Sequence, residues 1–238
     1  MTVELSHRLL EQAKTHAALG DPLRLRAVEL IAVSDLTPSD LASDLEIGSN
    51  LLAHHLNILE GAGLVERLPS EGDGRRSYLR LTRDVTAGPV LAPRTFTAED
   101  ILFVCTGNSA RSQLAAAMWN QVSDVPAASA GTHPAPEVHP LAIRSGRGAG
   151  LDLRAAKPRA IEDVTTQPGL VVTVCDRAHE ALAGFPRGTT ILHWWIPDPR
   201  AIGTRPAFED TVRSLRRRVE ALSPHVLRAR PRSGRRHP

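Results

Sequence analysis

The stretch ILFVCTGNSARSQLAAAMWN, residues 101–120, decides the fold of the larger part of the chain. An unbroken apolar run ends on Cys105, the small residues TGNSA follow, and Arg111 opens a helical pattern. Apolar residues that run on without alternation are expected of a strand buried on both faces of a parallel sheet. Two further runs of this kind, LVVTVC (170–175) and TTILHWWIPD (189–198), are joined or followed by helical segments at 110–122, around 139–149 and at 208–222. The pattern predicts an α/β domain with a central parallel sheet, in which residues 106–111 form a tight strand-to-helix loop.

Such a loop turns its amides into one concavity at a helix N-terminus, and unsatisfied N–H groups and the helix dipole there both favour a tetrahedral oxyanion. The oxyanion-binding set is therefore Thr106, Gly107, Asn108, Ser109, Ala110 and Arg111, with the arginine adding two parallel charge-assisted hydrogen bonds. The same field favours the thiolate form of Cys105, which makes it a nucleophile. Gly107 permits the tight path, Asn108 tolerates a positive φ, and the hydroxyls of Ser109 and Ser112 steady the loop and the sulfur. A structural cysteine before an ordinary βα turn is the bland alternative; the full order of strand, Cys, small residues, Arg, Ser and helix argues against it. The three apolar runs end in Cys105, Cys175 and Asp198. In a parallel sheet these carboxyl ends share the edge where open α/β sheets bind ligands, so two thiols and a carboxyl are expected to converge. Cys175 also admits a plainer reading as a small buried hydrophobe.

The whole chain has 238 residues, 42% of them hydrophobic, enough for two domains with separate cores. Its two cysteines are too few for a disulfide scaffold and are expected to remain thiols in a reducing, cytoplasmic setting. No run of eighteen apolar residues occurs and the N-terminus lacks the order of a signal peptide, so no membrane association is expected. Residues 1–97 carry 10 basic and 13 acidic side chains against 19 and 13 in residues 98–238, a balance of −3 and +6. The tail from residue 225, ending RARPRSGRRHP, is basic and lacks apolar periodicity, which predicts disorder. His133, His139 and His193 are expected to be polar or packing residues, and Trp194 and Trp195 to fill core and sheet edge. No metal site is expected, since Cys175, Asp176 and His179 lack a fourth partner.

The N-terminal part reads differently. Helices are predicted at 4–19 and 22–32, the second capped by Asp21 with Pro22 at its first position. A short helix over 37–45 is capped by Thr37 or Ser39, and another over 47–63 places Leu52, Leu56 and Leu59 on one face before glycine ends it. LVERLPS and SYLRLT then form a hairpin around the tip EGDGRR. The resulting boundaries are 1–83 for the first domain, 84–100 for a proline-containing linker, 101–224 for the α/β domain and 225–238 for the tail.

VCTGNSARS, SAGTHPAP (129–136), AGLDLRAAKPRAI (149–161) and IPDPRAIGT (196–204) together resemble the low-molecular-weight protein tyrosine phosphatase superfamily, which includes the thioredoxin-coupled arsenate reductases. The resemblance implies that Cys105 attacks an oxyanion held by Arg111, with Ser112 assisting, and that Asp198 is the general acid. Thr106 and the strand-end Cys175 resemble the arsenate reductases. Phosphatases of the superfamily usually carry a second cysteine inside the loop and an aromatic after the Asp-Pro pair, where this chain has Ala110 and Arg200. The third cysteine usual in the reductases is Leu182 here. Arsenate reduction is therefore the implied activity, with arsenate or phosphate as ligand and Cys175 as resolving thiol. No cofactor is implied beyond an external thiol reductant: thioredoxin, a glutaredoxin-like protein or a low-molecular-weight thiol. A tyrosine phosphatase and a non-catalytic oxyanion-sensing repressor are the alternatives.

The segments HAALGDPLRLRAVELI and LASDLEIGSNLLAHHLNILEGAGLVE, with the wing EGDGRRSYLRL, resemble the ArsR-type winged-helix transcriptional repressors. That resemblance implies a winged helix-turn-helix domain, mostly α with a β-hairpin wing, that binds double-stranded DNA as a homodimer. Ser49, Asn50, His54 and Asn57 are the candidates for the major groove, and Arg75 and Arg76 for phosphates or a minor groove. No cysteine occurs in residues 1–104, so the thiolate site with which many members sense arsenite or metals is absent.

Overall fold

The computed structural model describes residues 6–82, 94–165, 167–182 and 189–229. The chain divides into two compact units, residues 1–94 and 95–238.

In the first unit, helix α1 (His7–Leu19) starts where the Ser6 hydroxyl accepts the amide of Leu9. Helix α2 (Pro22–Val33) follows, with the Asp21 carboxylate accepting the amides of Leu23 and Arg24 and Pro22 at its first position, as its sequence predicts. Helix α3 (Pro38–Asp44) is capped by Thr37 rather than Ser39. Helix α4 (Ser49–Gly61) turns Leu52, Leu56 and Leu59 into a core shared with Val28, Ile31, Leu41, Leu64 and Leu79. Truncating any of these leucines to alanine costs about 2–5 kcal/mol. Strands β1 (Val65–Pro69) and β2 (Ser77–Leu81) pair antiparallel from Val65 opposite Leu81 to Pro69 opposite Ser77. Leu36 bridges to Leu79 through two backbone hydrogen bonds, tying the turn between α2 and α3 to the hairpin. Four helices and a wing are thus joined on one core.

The second unit is built on a four-stranded parallel sheet. Its strands are β4 (Ile101–Cys105), β5 (Ala127–Gly131), β6 (Leu170–Thr173) and β7 (Thr190–His193), in the order β5-β4-β6-β7. Every side chain of β4 is buried, as its unbroken apolar run requires. Preceding β4, strand β3 (Phe96–Ala98) pairs in parallel with the last strand, β8 (Val226–Arg228). This changes the boundaries read from sequence: the second unit begins before residue 101 and continues past 224, because Phe96, Ala98 and Val226 bury their side chains. Residues 84–93 of the expected linker and 230–238 of the expected disordered tail lie outside the described residues.

Helix α5 (Arg111–Val122) leaves the loop after β4, and α6 (Pro140–Gly148) follows β5. Two short helices, α7 (Asp176–Ala181) and α8 (Pro199–Ile202), follow β6 and β7. The long α9 (Arg205–Leu222) packs on α5 and α6 through Phe208, Thr211, Val212, Leu215, Val219 and Leu222, a stripe at helical spacing. It starts one turn earlier than its sequence period suggests because Pro206 serves its first turn. Among the described residues, no helix is long and apolar enough to cross a membrane.

Candidate active site

The parallel register sets Cys105 beside Gly131 on β5, Val104 beside Thr173 on β6, and Thr173 beside His193 on β7. The carboxyl ends of all four strands therefore meet on one edge, and the chain beyond each end contributes to the site.

Residues 106–110 connect β4 to α5 with Asn108 at φ 44°, the left-handed conformation that its short polar side chain tolerates. The carbonyls of Cys105, Thr106, Gly107 and Ser109 accept the amides of Thr132, His133, Ala135 and His139, at 2.8–3.1 Å. Across a trans peptide the carbonyl and the next N–H point in opposite directions. The amides of Thr106, Gly107, Asn108 and Ala110 are thereby turned away from residues 132–139. The amide of Asn108 points at the Cys105 sulfur, 3.2 Å away. Gly131 lies so close under the loop that a Cβ there would stand 2.6 Å from the Thr106 carbonyl oxygen. Only glycine lets β5 and the loop approach this closely.

Cys105 is buried, with its Sγ 3.0 Å from the Ser112 hydroxyl. The Asn108 side-chain amide donates to that hydroxyl (2.8 Å) and to the Ser129 hydroxyl (2.9 Å). With its oxygen already accepting from Asn108, Ser112 has its own proton to direct at the sulfur. The Asn108 Oδ1 in turn accepts from Gln113 Nε2 and the Arg159 amide. Gln113, Ser129 and Arg159 thus hold the loop in shape, although sequence reasoning did not single them out. Their link is to one asparagine, across up to 51 residues of chain.

The Arg111 guanidinium is buried and donates to the Ile196 carbonyl (2.9 Å) while Nη2 lies 3.1 Å from Asp198 Oδ2. Asp198 caps α8, accepting the Arg200 amide at 3.1 Å, and receives Nε and Nη2 of Arg200 at 3.3 and 3.1 Å. Burial raises the Asp198 carboxyl, but the Arg200 hydrogen bonds and the Arg111 charge outweigh it and hold the group below the ordinary carboxylate range.

Cys175 precedes α7 and is buried, with its Sγ 3.4 Å from the Thr106 hydroxyl. Burial pushes its thiol up, and the neighbouring Cys105 adds to this; the Arg111 charge and the Thr106 hydrogen bond pull the other way without cancelling it. The sequence-predicted set Cys105, Arg111, Ser112, Cys175 and Asp198 is therefore gathered in one place, with Ala110 as the residue before α5.

Beside it lies a buried polar cluster. His193 Nε2 is 3.0 Å from Asp176 Oδ1, His193 Nδ1 is 3.0 Å from the Thr173 hydroxyl, and His179 Nδ1 is 3.1 Å from the same hydroxyl. The two imidazoles stack with centroids 4.3 Å apart. The cluster ties α7, which carries Cys175 at its start, to β6 and β7. His139 caps α6 and stacks on Phe208, while His133 is exposed. Trp194 is buried against Phe103.

In the first unit Ser49, Asn50, His54 and Asn57 are exposed along α4, together with Leu51 and Ala53. On the wing Arg75 forms two side-chain hydrogen bonds to Asp73, at 3.0 and 3.2 Å, and Arg76 lies 3.9 Å from the same carboxylate. Asp73 is held below the ordinary carboxylate range, first by the Arg75 side chain and then by its amide. The wing cations thus carry an internal counterion.

The family model for low molecular weight phosphotyrosine protein phosphatases matches residues 100–232, and that for bacterial regulatory proteins of the arsR family matches residues 21–67. An arsenate reductase of Brevibacillus brevis is 33% identical over 108 residues, spanning 42% of this chain and 75% of the relative. One from Staphylococcus aureus is 34% identical over 108 residues, spanning 43% and 80%. Among solved structures, the arsenate reductase from Archaeoglobus fulgidus has 28% identity and a TM-score of 0.47, covering 52% of this chain and 99% of that one.

Proposed function

The chain belongs to the low molecular weight phosphotyrosine protein phosphatase family, with an ArsR-family helix-turn-helix domain ahead of the family domain, and on that premise we propose that it reduces arsenate to arsenite with its own two thiols. The observation that carries this reading is the placement of the second thiol. Cys175 lies against Thr106, the residue that follows Cys105, at the strand edge that holds the anion loop.

Arsenate binds among the loop amides and Arg111. The Cys105 thiolate attacks arsenic, forming an S–As bond, and an arsenate hydroxyl takes one proton from Asp198 and departs as water. The Cys175 thiolate then attacks the Cys105 sulfur. An S–S bond forms, the S–As bonding pair stays with arsenic, and As(V) becomes As(III) while two thiols become a disulfide. An external reductant, either a thiol-redox protein or a low-molecular-weight thiol, supplies the two electrons that restore the thiols. Leu182, standing where a third cysteine would be, makes the external reductant act on the Cys105–Cys175 pair itself.

Asp198 meets its role only if its charge partners move. Paired with Arg111 and Arg200 it is a carboxylate at neutral pH. A bound oxyanion competes for the same guanidiniums and sets its own negative charge beside the carboxyl, and both changes favour protonation of Asp198.

The reading is tested by arsenate-dependent thiol consumption with several reductants, followed by mass mapping of the disulfide. Cys105→Ser is expected to abolish turnover and Cys175→Ser to abolish the internal disulfide. Full turnover by Cys105→Ser refutes the mechanism.

ArsR-family helix-turn-helix domains bind DNA, and we assign the same task to the first unit, as a homodimer with the exposed polar residues of α4 in the major groove. Asp73 limits what Arg75 and Arg76 give to phosphates, which with the net charge of −3 over residues 1–97 predicts modest non-specific binding. Titration of an operator-length duplex at several salt concentrations tests this.

A further inference from the structure

Arg200 stands where the resembling phosphatases carry an aromatic residue, and its surroundings give it a task. Two of its nitrogens, Nε and Nη2, engage Asp198. The third, Nη1, lies over the anion loop: a Cβ added to Gly107 would stand 3.0 Å from it and 3.5 Å from the guanidinium carbon. The side chain remains about one-third exposed, at 36%. The site therefore has one buried guanidinium, Arg111, and a second, partly exposed one at its mouth beside Gly107. Asp198 is bound to both.

We propose that Arg200 is the specificity-determining residue of the oxyanion site, selecting a free tetrahedral oxyanion bearing two negative charges, such as arsenate or inorganic phosphate, over its organic monoesters. This role rests on the reading of the loop as an anion site. Attack by Cys105 requires the departing oxygen to lie opposite the sulfur, toward Asp198 and the mouth. In arsenate or phosphate that position holds a bare oxygen or hydroxyl, which a guanidinium binds by charge-assisted hydrogen bonds. In a monoester it holds the organic group, which needs the space that the Arg200 side chain fills and offers its cation no charge. Gly107 contributes by lacking the Cβ that would displace the guanidinium from the loop. The same residue couples recognition to chemistry, since each hydrogen bond that Arg200 transfers to the anion is withdrawn from Asp198.

The test uses the full chain in the Cys105→Ser background, so that binding is read without turnover, with inorganic phosphate and phenyl phosphate as probes in calorimetric titrations. Arg200→Ala is expected to weaken phosphate by about tenfold or more, the loss of a charge-assisted hydrogen bond. Phenyl phosphate is expected to bind equally well or more tightly. Arg200→Tyr is expected to reverse the preference, and with Cys105 restored to raise p-nitrophenyl phosphate hydrolysis relative to arsenate reduction. Arg200→Lys keeps the charge without the fork and should fall between. Equal weakening of both probes, or no change in either, overturns the proposal. If phosphate binding depends on Arg200 but arsenate consumes no thiol, the reductase reading falls and the role of Arg200 stands. If arsenate is reduced and Arg200→Ala binds both probes as the parent does, the reductase reading stands and this proposal falls.

Discussion

The Cys175 thiol lies 3.4 Å from the Thr106 hydroxyl, so the second thiol touches the residue that directly follows the first. Burial holds this thiol above its ordinary range. Since the thiolate is the attacking form, disulfide formation in a single turnover should quicken with rising pH, by about tenfold per unit while the thiol remains protonated. Thr106→Val removes a hydrogen bond that favours the thiolate and should slow this step at about pH 7.5 while leaving Cys105 available to alkylation. Quenched-flow samples analysed by mass spectrometry measure both. A pH-independent rate contradicts the assignment.

Asp198 works in the opposite sense. Its folded-state carboxyl lies below the unfolded value, so it contributes stability at pH values above the unfolded carboxyl range that is lost as pH falls through the folded value. Asp198→Asn should flatten the acid limb of a stability-against-pH curve measured by denaturant unfolding. In turnover it should lower kcat by about 10²–10⁴-fold, the usual contribution of a general acid.

Gly131 has no chemical group to offer, yet its replacement should be costly. A Cβ there meets the Thr106 carbonyl oxygen at 2.6 Å. Gly131→Ala must therefore push the loop from β5, and displacement by about 1 Å lowers turnover by about 10²-fold. Phosphate affinity should fall with it, while the melting temperature moves little if the shift stays within the loop.

The buried pair of Asp176 and His193 is a matter of stability. Asp176→Ala removes a hydrogen-bond partner of the buried His193 imidazole and should cost about 1–3 kcal/mol in urea unfolding. Asp176→Asn, which retains a hydrogen-bonding oxygen, should cost less. Because this pair ties α7 to β7, loss of protection from hydrogen exchange should begin in α7 and expose Cys175 to alkylation.

On the wing, Asp73→Asn removes the counterion of Arg75 and Arg76. Binding to an operator-length duplex should tighten, and the dependence of log affinity on log salt should steepen by about one for each additional phosphate that the freed guanidiniums neutralise. Fluorescence anisotropy across a salt series reads both quantities; unchanged slopes show that the wing does not reach the backbone.

These relationships were unequally legible in the sequence. Strand β4 announces itself through five apolar residues in a row, and α2 through Asp21 and Pro22. Strand β5, by contrast, is AASAG: small residues carry no hydrophobic signal, and what makes them a strand is pairing with β4 and the close approach at Gly131. Strands β3 and β8 are three residues each and pair with one another across more than a hundred positions of chain. Within the site, Cys105, Cys175 and Asp198 could be read because the apolar runs lead to one sheet edge, although β6 and β7 stop at Thr173 and His193 and leave Cys175 and Asp198 to cap the next helices; Arg111 could be read because it opens the helix after the loop. Gln113, Ser129 and Arg159 could not, since each acts through a hydrogen bond to Asn108 that only the folded chain creates. Arg200 was visible as a departure from a pattern, and its meaning came from the position of one nitrogen over Gly107.

The grip of the loop is fixed by peptide planes, whose carbonyls are fastened to residues 132–139. Side chains at Thr106, Ser109 and Ala110 take no part in that fastening. Substitution at these positions can therefore alter which chemistry follows capture without dissolving capture itself, so the scaffold is open to change of activity by small evolutionary steps.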